Sequence, residues 1–209
     1  MLLYYITDRA QFSGTESQRR DRLLKKIAEA AHADIDYVQL REKDLSPREL
    51  EALSREAAQL IHGSRCKTGL LINSRTDVAL ATRADGVHLT SRDVSPVDVK
   101  NIWHQAQAPG KPIIAVSCHS EAEVIAAERE SADFVVFGPV FEKSNAGKIP
   151  AAGINQMQQA CRHNIPVLAL GGVSPENAHL CTEAGAQGIA GIRLFQENDI
   201  QAVVTKLRR

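Results

Sequence analysis

Short runs of β-branched and aromatic residues alternate along the chain with longer segments whose apolar residues recur every three or four positions. The runs predict strands at residues 2–7, 35–40, 69–72, 86–89, 112–117, 134–137, 166–170 and 188–192. The longer segments predict helices at 18–33, 47–61, 75–81, 96–107, 154–163, 174–184 and 197–207, and another that opens at Ser120. Eight strand–helix units predict a parallel sheet with helical crossovers.

A similar turn leads from helix to strand at four places, which suggests one repeated unit. The four turns are His32-Ala33-Asp34, Arg83-Ala84-Asp85, Ser131-Ala132-Asp133 and Gly185-Ala186-Gln187. An open doubly wound sheet is the alternative, but eight units favour a closed (β/α)8 TIM barrel. No interdomain linker interrupts the pattern, so we expect a single TIM-barrel domain over residues 1–209.

Charge and composition exclude several classes of function. The 25 Lys and Arg residues balance the 25 Asp and Glu residues, so a nucleic-acid partner is not expected. No run of about 18 apolar residues predicts a membrane span. Asp8 comes too early for a signal peptide, and the four scattered cysteines form no CxxC motif. These features predict a cytoplasmic protein with reduced thiols.

Polar residues and glycines follow the predicted strands, where a barrel carries its chemistry. Gln39, Arg41 and Lys43 alternate with Leu40 and Glu42, so the three point to the same face. Two cations and an amide suit an anionic ligand, because Arg offers a fork and Lys a mobile charge. The alternative is that both cations pair with the neighbouring acidic residues on a solvated loop.

Gly171 and Gly172 end the seventh predicted strand and precede a helix predicted to start at Ser174. Glycines allow close approach of a ligand to the backbone, and amides at a helix start attract anions. Barrels often bind phosphate in this loop. A double glycine that merely turns the chain is the alternative.

Single residues offer further candidates. His88 and His119 suit acid–base chemistry or serve as hydrogen-bonded lining. Asp93 either binds magnesium or caps the helix that follows it. Cys118 is an improbable nucleophile, because strand alternation turns its side chain away from Ser117 and His119.

The ordered motifs resemble those of the thiamine phosphate synthase family, which includes thiazole tautomerases of the TenI type. The resemblance spans about residues 3–195. It is carried by Tyr5-Ile6-Thr7-Asp8, Gln39-Leu40-Arg41-Glu42-Lys43, Asn73-Ser74-Arg75, Asp85-Gly86-Val87-His88-Leu89, Ser117-Cys118-His119, Phe137-Gly138-Pro139-Val140-Phe141 and Leu170-Gly171-Gly172-Val173.

The resemblance implies a (β/α)8 barrel that couples hydroxymethylpyrimidine diphosphate to thiazole phosphate in thiamine biosynthesis. Pyrophosphate leaves with the help of Mg²⁺, and the thiazole nitrogen captures a pyrimidine cation. The implied substrate-binding residues are Gln39, Arg41, Lys43, Asn73, Ser117, Lys148, Gly171, Gly172 and Arg193. The candidate catalytic residues are Arg41, Lys43, Ser117 and His119, and Asp93 is the implied metal ligand.

Departures from the family pattern leave alternatives open. Ser74 replaces an expected second metal-binding Asp, so we expect weaker magnesium binding. Arg193 replaces a phosphate-contacting Ser, and either Lys143 or Lys148 takes the place of the family lysine. A thiazole tautomerase and a noncatalytic binding homologue are the other readings, although Pro139 stands where the tautomerase histidine is expected. A homo-oligomer is one alternative for its assembly.

Overall fold

Eight parallel strands close into a barrel in the computed structural model of this chain, which describes residues 1–63, 67–142 and 151–208. The strands are β1 Leu2–Ile6, β2 Tyr37–Leu40, β3 Gly69–Asn73, β4 Gly86–Leu89, β5 Ile113–Cys118, β6 Phe134–Phe137, β7 Val167–Leu170 and β8 Gly188–Gly191. Each strand pairs with the next, and β8 closes on β1. The predicted (β/α)8 barrel is confirmed, and the open sheet is wrong.

Helices follow the strands around the outside of this barrel. They are α1 Glu16–His32, α2 Pro47–His62, α3 Thr76–Thr82, α4 Pro96–Gln105, α5 Glu121–Arg129, α6 Gly153–Ala160, α7 Ala178–Glu183, α8 Arg193–Gln196 and α9 Ile200–Leu207. The short α8 and the 3₁₀ turn Arg9–Gln11 were not predicted from the sequence. Among the described residues, no helix combines the length and the hydropathy that crossing a bilayer requires.

Capping residues decide where two of these helices begin. Ser46 and Glu49 form the predicted capping box of α2. Thr15 and Gln18 form a second one, which starts α1 at Glu16 rather than at residue 18. At α7, the Asn177 side chain accepts a hydrogen bond from the Ser174 amide and delays the helix to Ala178.

Strand alternation divides the side chains between the barrel interior and the layer beneath the helices. Aromatic rings fill the lower interior: Tyr37 stacks on Phe134 with 5.0 Å between ring centroids, and Tyr4 meets both rings edge-on. Phe195 and Tyr5 belong instead to the outer layer, where their centroids lie 6.1 Å apart. The mouth of the barrel is therefore not filled by Phe195.

Candidate active site

The carboxyl ends of all eight strands meet at one rim, because the strands are parallel and the barrel is closed. Every predicted site residue within the described part of the chain lies in the last two residues of a strand or in the segment that follows one at this rim. These residues are Gln39, Arg41, Lys43, Asn73, Asp93, Ser117, His119, Gly171, Gly172 and Arg193. Lys143 and Lys148 lie outside the described residues.

Four inward-facing polar side chains on the successive strands β2 to β5 form what we call the polar wall: Gln39, Asn73, His88 and Ser117. Gln39 Nε2 donates a 2.8 Å hydrogen bond to Asn73 Oδ1. Gln39 Oε1 is buried without any partner among the described residues. This acceptor suits an N–H donor of a bound ligand, because a buried polar atom left unpaired is costly.

The inward side chains of β6 to β8 form an apolar wall on the other side of the mouth. Val136 belongs to the interior hydrophobic cluster, and the partly buried Leu170 and Ile192 pack against it, Ile192 from the position just after β8. They face the polar wall across the ring of strands, since β3 and β7 lie on opposite sides of an eight-stranded barrel. The mouth therefore offers a ligand hydrogen bonds on one side and apolar contact on the other.

His88 is the one titratable side chain of the polar wall. It is 2 % exposed, and its ring lies between Tyr4 Oη at 3.0 Å and Ser117 Oγ at 2.7 Å. Burial lowers the pKa of His88 to about 3; the Arg41 charge adds to this shift and the Asp93 charge opposes it. The imidazole is therefore neutral at physiological pH.

This shift predicts a loss of stability in mild acid. The unfolded chain binds a proton at His88 below a pKa of about 6.5, whereas the folded protein does not until about pH 3. Stability therefore falls as the pH drops below 6.5, by about 2 kcal/mol between pH 7.5 and pH 5 from this group. Urea unfolding at both pH values checks this, with His88→Gln expected to lose about 2 kcal/mol less than the parent. Equal losses in the two proteins would contradict it.

Arg41 and Lys43 have no ion-pair partner among the described residues. Arg41 is half-buried and Lys43 is exposed. Their neighbour Glu42 points the other way: its carboxylate accepts 2.6 Å and 3.1 Å hydrogen bonds from Thr7 Oγ1 and Arg9 Nη1. The alternative in which Arg41 and Lys43 pair with the adjacent acidic residues is therefore wrong, and both cations remain available to an anion.

Arg9 is the residue that the sequence interpretation missed. It is 4 % exposed and binds Asp44 through two hydrogen bonds of 2.7 Å and 2.8 Å, in addition to Glu42 and Glu16. The hydrogen bonds to Asp44, and those to Glu16 and Glu42 after it, raise the pKa of Arg9 against the effect of burial. For Glu42, burial raises the carboxyl pKa, while Thr7 and Arg9 lower it. Arg9 thus forms ion pairs with Glu42 and Asp44, the acidic residues next to Arg41 and Lys43.

Asp93 lies beside Ser74 in the loop that follows β4. Its Oδ2 accepts hydrogen bonds from Ser74 Oγ at 2.8 Å and from the backbone N and Oγ1 of Thr90 at 2.6 Å and 2.9 Å. Ser95, not Asp93, caps α4, so the alternative of a cap at Asp93 is wrong. No cluster of three or more His, Cys, Asp or Glu suited to a metal occurs in the described ranges.

Gly171 and Gly172 both adopt left-handed backbone conformations, with φ of 95° and 67°. A Cβ on Gly172 would lie 2.7 Å from Phe141 Cβ, so close packing against the loop after β6 requires glycine here. The Gly172 amide has no hydrogen-bond partner among the described residues. The expected helix start at Ser174 is wrong, and this amide therefore belongs to a turn rather than to a helix terminus.

The other candidates occupy the edge of the rim. His119 Nδ1 contacts the Gly138 carbonyl oxygen, which can only accept, so Nδ1 carries the ring hydrogen. Arg193 is exposed at the start of α8 and does not fill the mouth. Cys118 points outward as predicted, because it is fully buried in the layer beneath the helices, and burial raises the pKa of its thiol to about 12.

A cavity of about 350 Å³ opens beside the polar wall, between the loops that follow β2 and β3. Its lining combines apolar residues under α2 with polar residues of the rim: Leu40, Glu42, Lys43, Leu45, Leu50, Asn73, Ser74 and Arg75. The Arg75 guanidinium is already paired with Asp77 at 2.5 Å. Lys43 is therefore the unpaired cation of this cavity among the described residues.

Comparison with known proteins identifies relatives along nearly the whole chain. A family described as thiamine monophosphate synthase matches residues 3–195. A thiamine-phosphate synthase of Caldanaerobacter subterraneus is 34 % identical over 96 % of this chain and 88 % of its own length. One from Syntrophomonas wolfei is 34 % identical over 99 % and 94 %. A solved thiamine phosphate pyrophosphorylase from Pyrococcus furiosus superposes with a TM-score of 0.80 at 29 % identity, covering 99 % of this chain and 93 % of that one.

Proposed function

The chain belongs to the thiamine monophosphate synthase family, and from this we propose that it couples hydroxymethylpyrimidine diphosphate to thiazole phosphate and releases pyrophosphate. It is an enzyme of the thiamine-phosphate synthase type. We place the reaction at the carboxyl rim of a single barrel domain that spans residues 1–209. The cytoplasmic location remains a prediction from the sequence.

The unpaired charge of Arg41 above the polar wall is the observation that carries this proposal. Arg41 lies two residues beyond Gln39, and its charge reaches His88 strongly enough to lower the pKa of that ring. Glu42 is held by Thr7 and Arg9, so it does not neutralise Arg41. A diphosphate supplies the missing negative charge, and the guanidinium fork matches its oxygens.

The polar wall suits the pyrimidine end of the first substrate. Gln39 Oε1 has no hydrogen-bond partner among the described residues and can accept from a ligand N–H, and Ser117 Oγ lies on the same wall beyond His88. These groups hold and orient the ring while Arg41, Lys43 and Asn73 hold the diphosphate. As the carbon–oxygen bond to the diphosphate breaks, the negative charge grows on the leaving group, where the two cations stabilise it.

The thiazole phosphate would bind on the opposite side of the mouth. The unpartnered Gly172 amide lies after β7, and the exposed Arg193 follows β8. Both are donors for a phosphate, and Leu170 and Ile192 offer apolar contact to the thiazole ring. The apolar wall also keeps water from the reacting carbon, so that the thiazole nitrogen rather than water captures the cation.

A magnesium ion fits this rim as a companion of the diphosphate. Asp93 Oδ2 is occupied by Ser74 and Thr90, but no donor in the described part of the chain reaches Oδ1. Mg²⁺ in proteins is often held by one or two carboxylates plus substrate phosphates, so Asp93 would hold it together with the diphosphate. The ion would add positive charge to the leaving group.

A second carboxylate at position 74 is expected to strengthen that binding. Ser74 has φ of 59°, a conformation that Asp adopts readily, so Ser74→Asp fits the backbone. With inorganic pyrophosphate present, we expect Mg²⁺ affinity to rise on the order of tenfold, as measured by calorimetry. Ser74→Asn is the control of similar shape without the charge. Unchanged affinity in Ser74→Asp would count against Asp93 as a metal ligand.

Incubation with both phosphorylated substrates and Mg²⁺ tests the proposed function. Coupled thiamine phosphate and one equivalent of pyrophosphate are expected, and omission of the thiazole phosphate should abolish the coupled product. Isomerisation of the thiazole phosphate alone would instead identify a tautomerase, for which His119 Nε2 is the candidate base. Binding of either substrate without any conversion would identify a noncatalytic homologue. Either of the last two results overturns the proposal.

A further inference from the structure

Three polar groups connect the interior of the barrel with its mouth. The Tyr4 hydroxyl contacts His88 Nδ1 at 3.0 Å, and His88 Nε2 contacts Ser117 Oγ at 2.7 Å. Tyr4 is fully buried, His88 is 2 % exposed, and Ser117 is half-buried at the mouth. The direction of the two hydrogen bonds decides whether Ser117 meets a ligand as a donor or as an acceptor.

Tyr4 determines that direction, because its hydroxyl has a single hydrogen-bond partner among the described residues, His88 Nδ1. The Tyr4 ring packs edge-on against the rings of Tyr37 and Phe134, with 6.1 Å and 5.5 Å between ring centroids, and the Tyr4 hydroxyl makes no hydrogen bond to Tyr37. Burial raises the pKa of Tyr4, so the phenol keeps its hydrogen. A buried O–H that lacks an acceptor is costly, and donation to His88 Nδ1 satisfies it.

The ring of His88 is then left with one arrangement. It is neutral, so only one of its nitrogens carries a hydrogen, and Nδ1 accepts from Tyr4. The ring hydrogen therefore lies on Nε2 and is donated to Ser117 Oγ. Because the Ser117 oxygen accepts this bond, its own O–H remains free to point into the mouth.

We propose that Tyr4 is a positioning residue that, through His88, makes Ser117 a hydrogen-bond donor to the ligand. Ser117 then selects an acceptor, such as a ring nitrogen or a phosphate oxygen, and disfavours an amino group at that place. The identity of the ligand rests on the proposed function, whereas the hydrogen-bond direction does not.

The ring hydrogen can be located by long-range ¹H–¹⁵N correlation spectra of protein labelled at histidine, without substrate. His88→Gln identifies the His88 signals by their loss. In the parent we expect protonated Nε2 and unprotonated Nδ1, unchanged between pH 6 and pH 8. Tyr4→Phe should shift both nitrogens, because the ring loses its donor. Tyr5→Phe is the matched control: Tyr5 is equally buried but its hydroxyl binds Gln196, so its spectrum should equal that of the parent.

A double-mutant cycle of Tyr4 and Ser117 tests whether the direction of these hydrogen bonds affects turnover of the bound ligand. Tyr4→Phe should lower kcat about tenfold with a smaller change in KM, consistent with the loss of one aligned hydrogen bond. In a Ser117→Ala background, the same substitution should have no further effect, because the hydroxyl that it orients is absent. Multiplicative effects, or a parent spectrum with hydrogen on Nδ1, would overturn the proposal. If the parent shows the expected spectrum but does not join the two substrates into thiamine phosphate, the proposed function is overturned instead.

Discussion

Replacing Arg41 with alanine is expected to lower pyrophosphate release by about 10²–10³-fold, the usual cost of losing a donor that stabilises developing charge. Arg41 has no acidic partner in the described part of the chain, so the diphosphate is the anion for which its fork is available. Arg41→Lys should recover part of the loss, because lysine restores the charge without the bidentate geometry. A continuous assay for released pyrophosphate measures each variant.

Arg48→Ala provides the matched control for this experiment. Arg48 is an exposed arginine in the first turn of α2, seven positions further along the chain, and it lies outside the site. Its removal should leave turnover at the parental value. Turnover of Arg41→Ala at the rate of the parent would show that another group holds the leaving diphosphate.

Replacing Arg9 with methionine is expected to cost about 3–5 kcal/mol of unfolding free energy, the usual loss when one partner of a buried ion pair is removed. The side chain of Glu42 is 1 % exposed, so this substitution leaves its carboxylate buried with Thr7 and a backbone amide. Methionine retains an unbranched apolar side chain in place of the arginine stem, so that the charge is lost while much of the packing is kept. Urea denaturation measures the change.

Arg20→Met is the corresponding control on the surface. Arg20 pairs with Glu56 at 2.7 Å, but both side chains are partly solvent-exposed, and such pairs contribute less than about 1 kcal/mol. Adding Glu42→Gln to Arg9→Met should restore part of the stability, because the uncompensated charge is then gone. If Arg9→Met costs no more than Arg20→Met, then Glu42 does not depend on Arg9.

Local patterns were sufficient to predict the barrel, because its units repeat and its strands are short, largely apolar runs. The errors lie at helix starts, where the hydrogen bonds of a single nearby side chain set the boundary. At α7, Ser174-Pro175 resembles a good helix start, yet Asn177 binds the Gly172 carbonyl oxygen and the Ser174 amide and holds the segment in a turn. At α1, the Thr15–Gln18 capping box was available in the sequence but its first turn is polar, so apolar spacing placed the start too late.

The site was predictable to the extent that it follows strand alternation. That rule aligned Gln39 with Arg41 and turned Cys118 away from Ser117. It gave no indication of Arg9, whose partners Glu42 and Asp44 lie 33 and 35 positions away. Nor does a sequence reveal that His88 is neutral, since this depends on burial among residues from several strands.

The two walls of the mouth come from different parts of the chain. The polar wall ends with β5, whose last residue is Cys118, and the apolar wall begins with β6, whose first residue is Phe134. In the proposed assignment, the first part of the chain thus binds the pyrimidine diphosphate and the second part binds the thiazole phosphate. A campaign to accept an altered thiazole would randomise Val136, Leu170 and Ile192 and leave the leaving-group chemistry of β2 to β5 untouched.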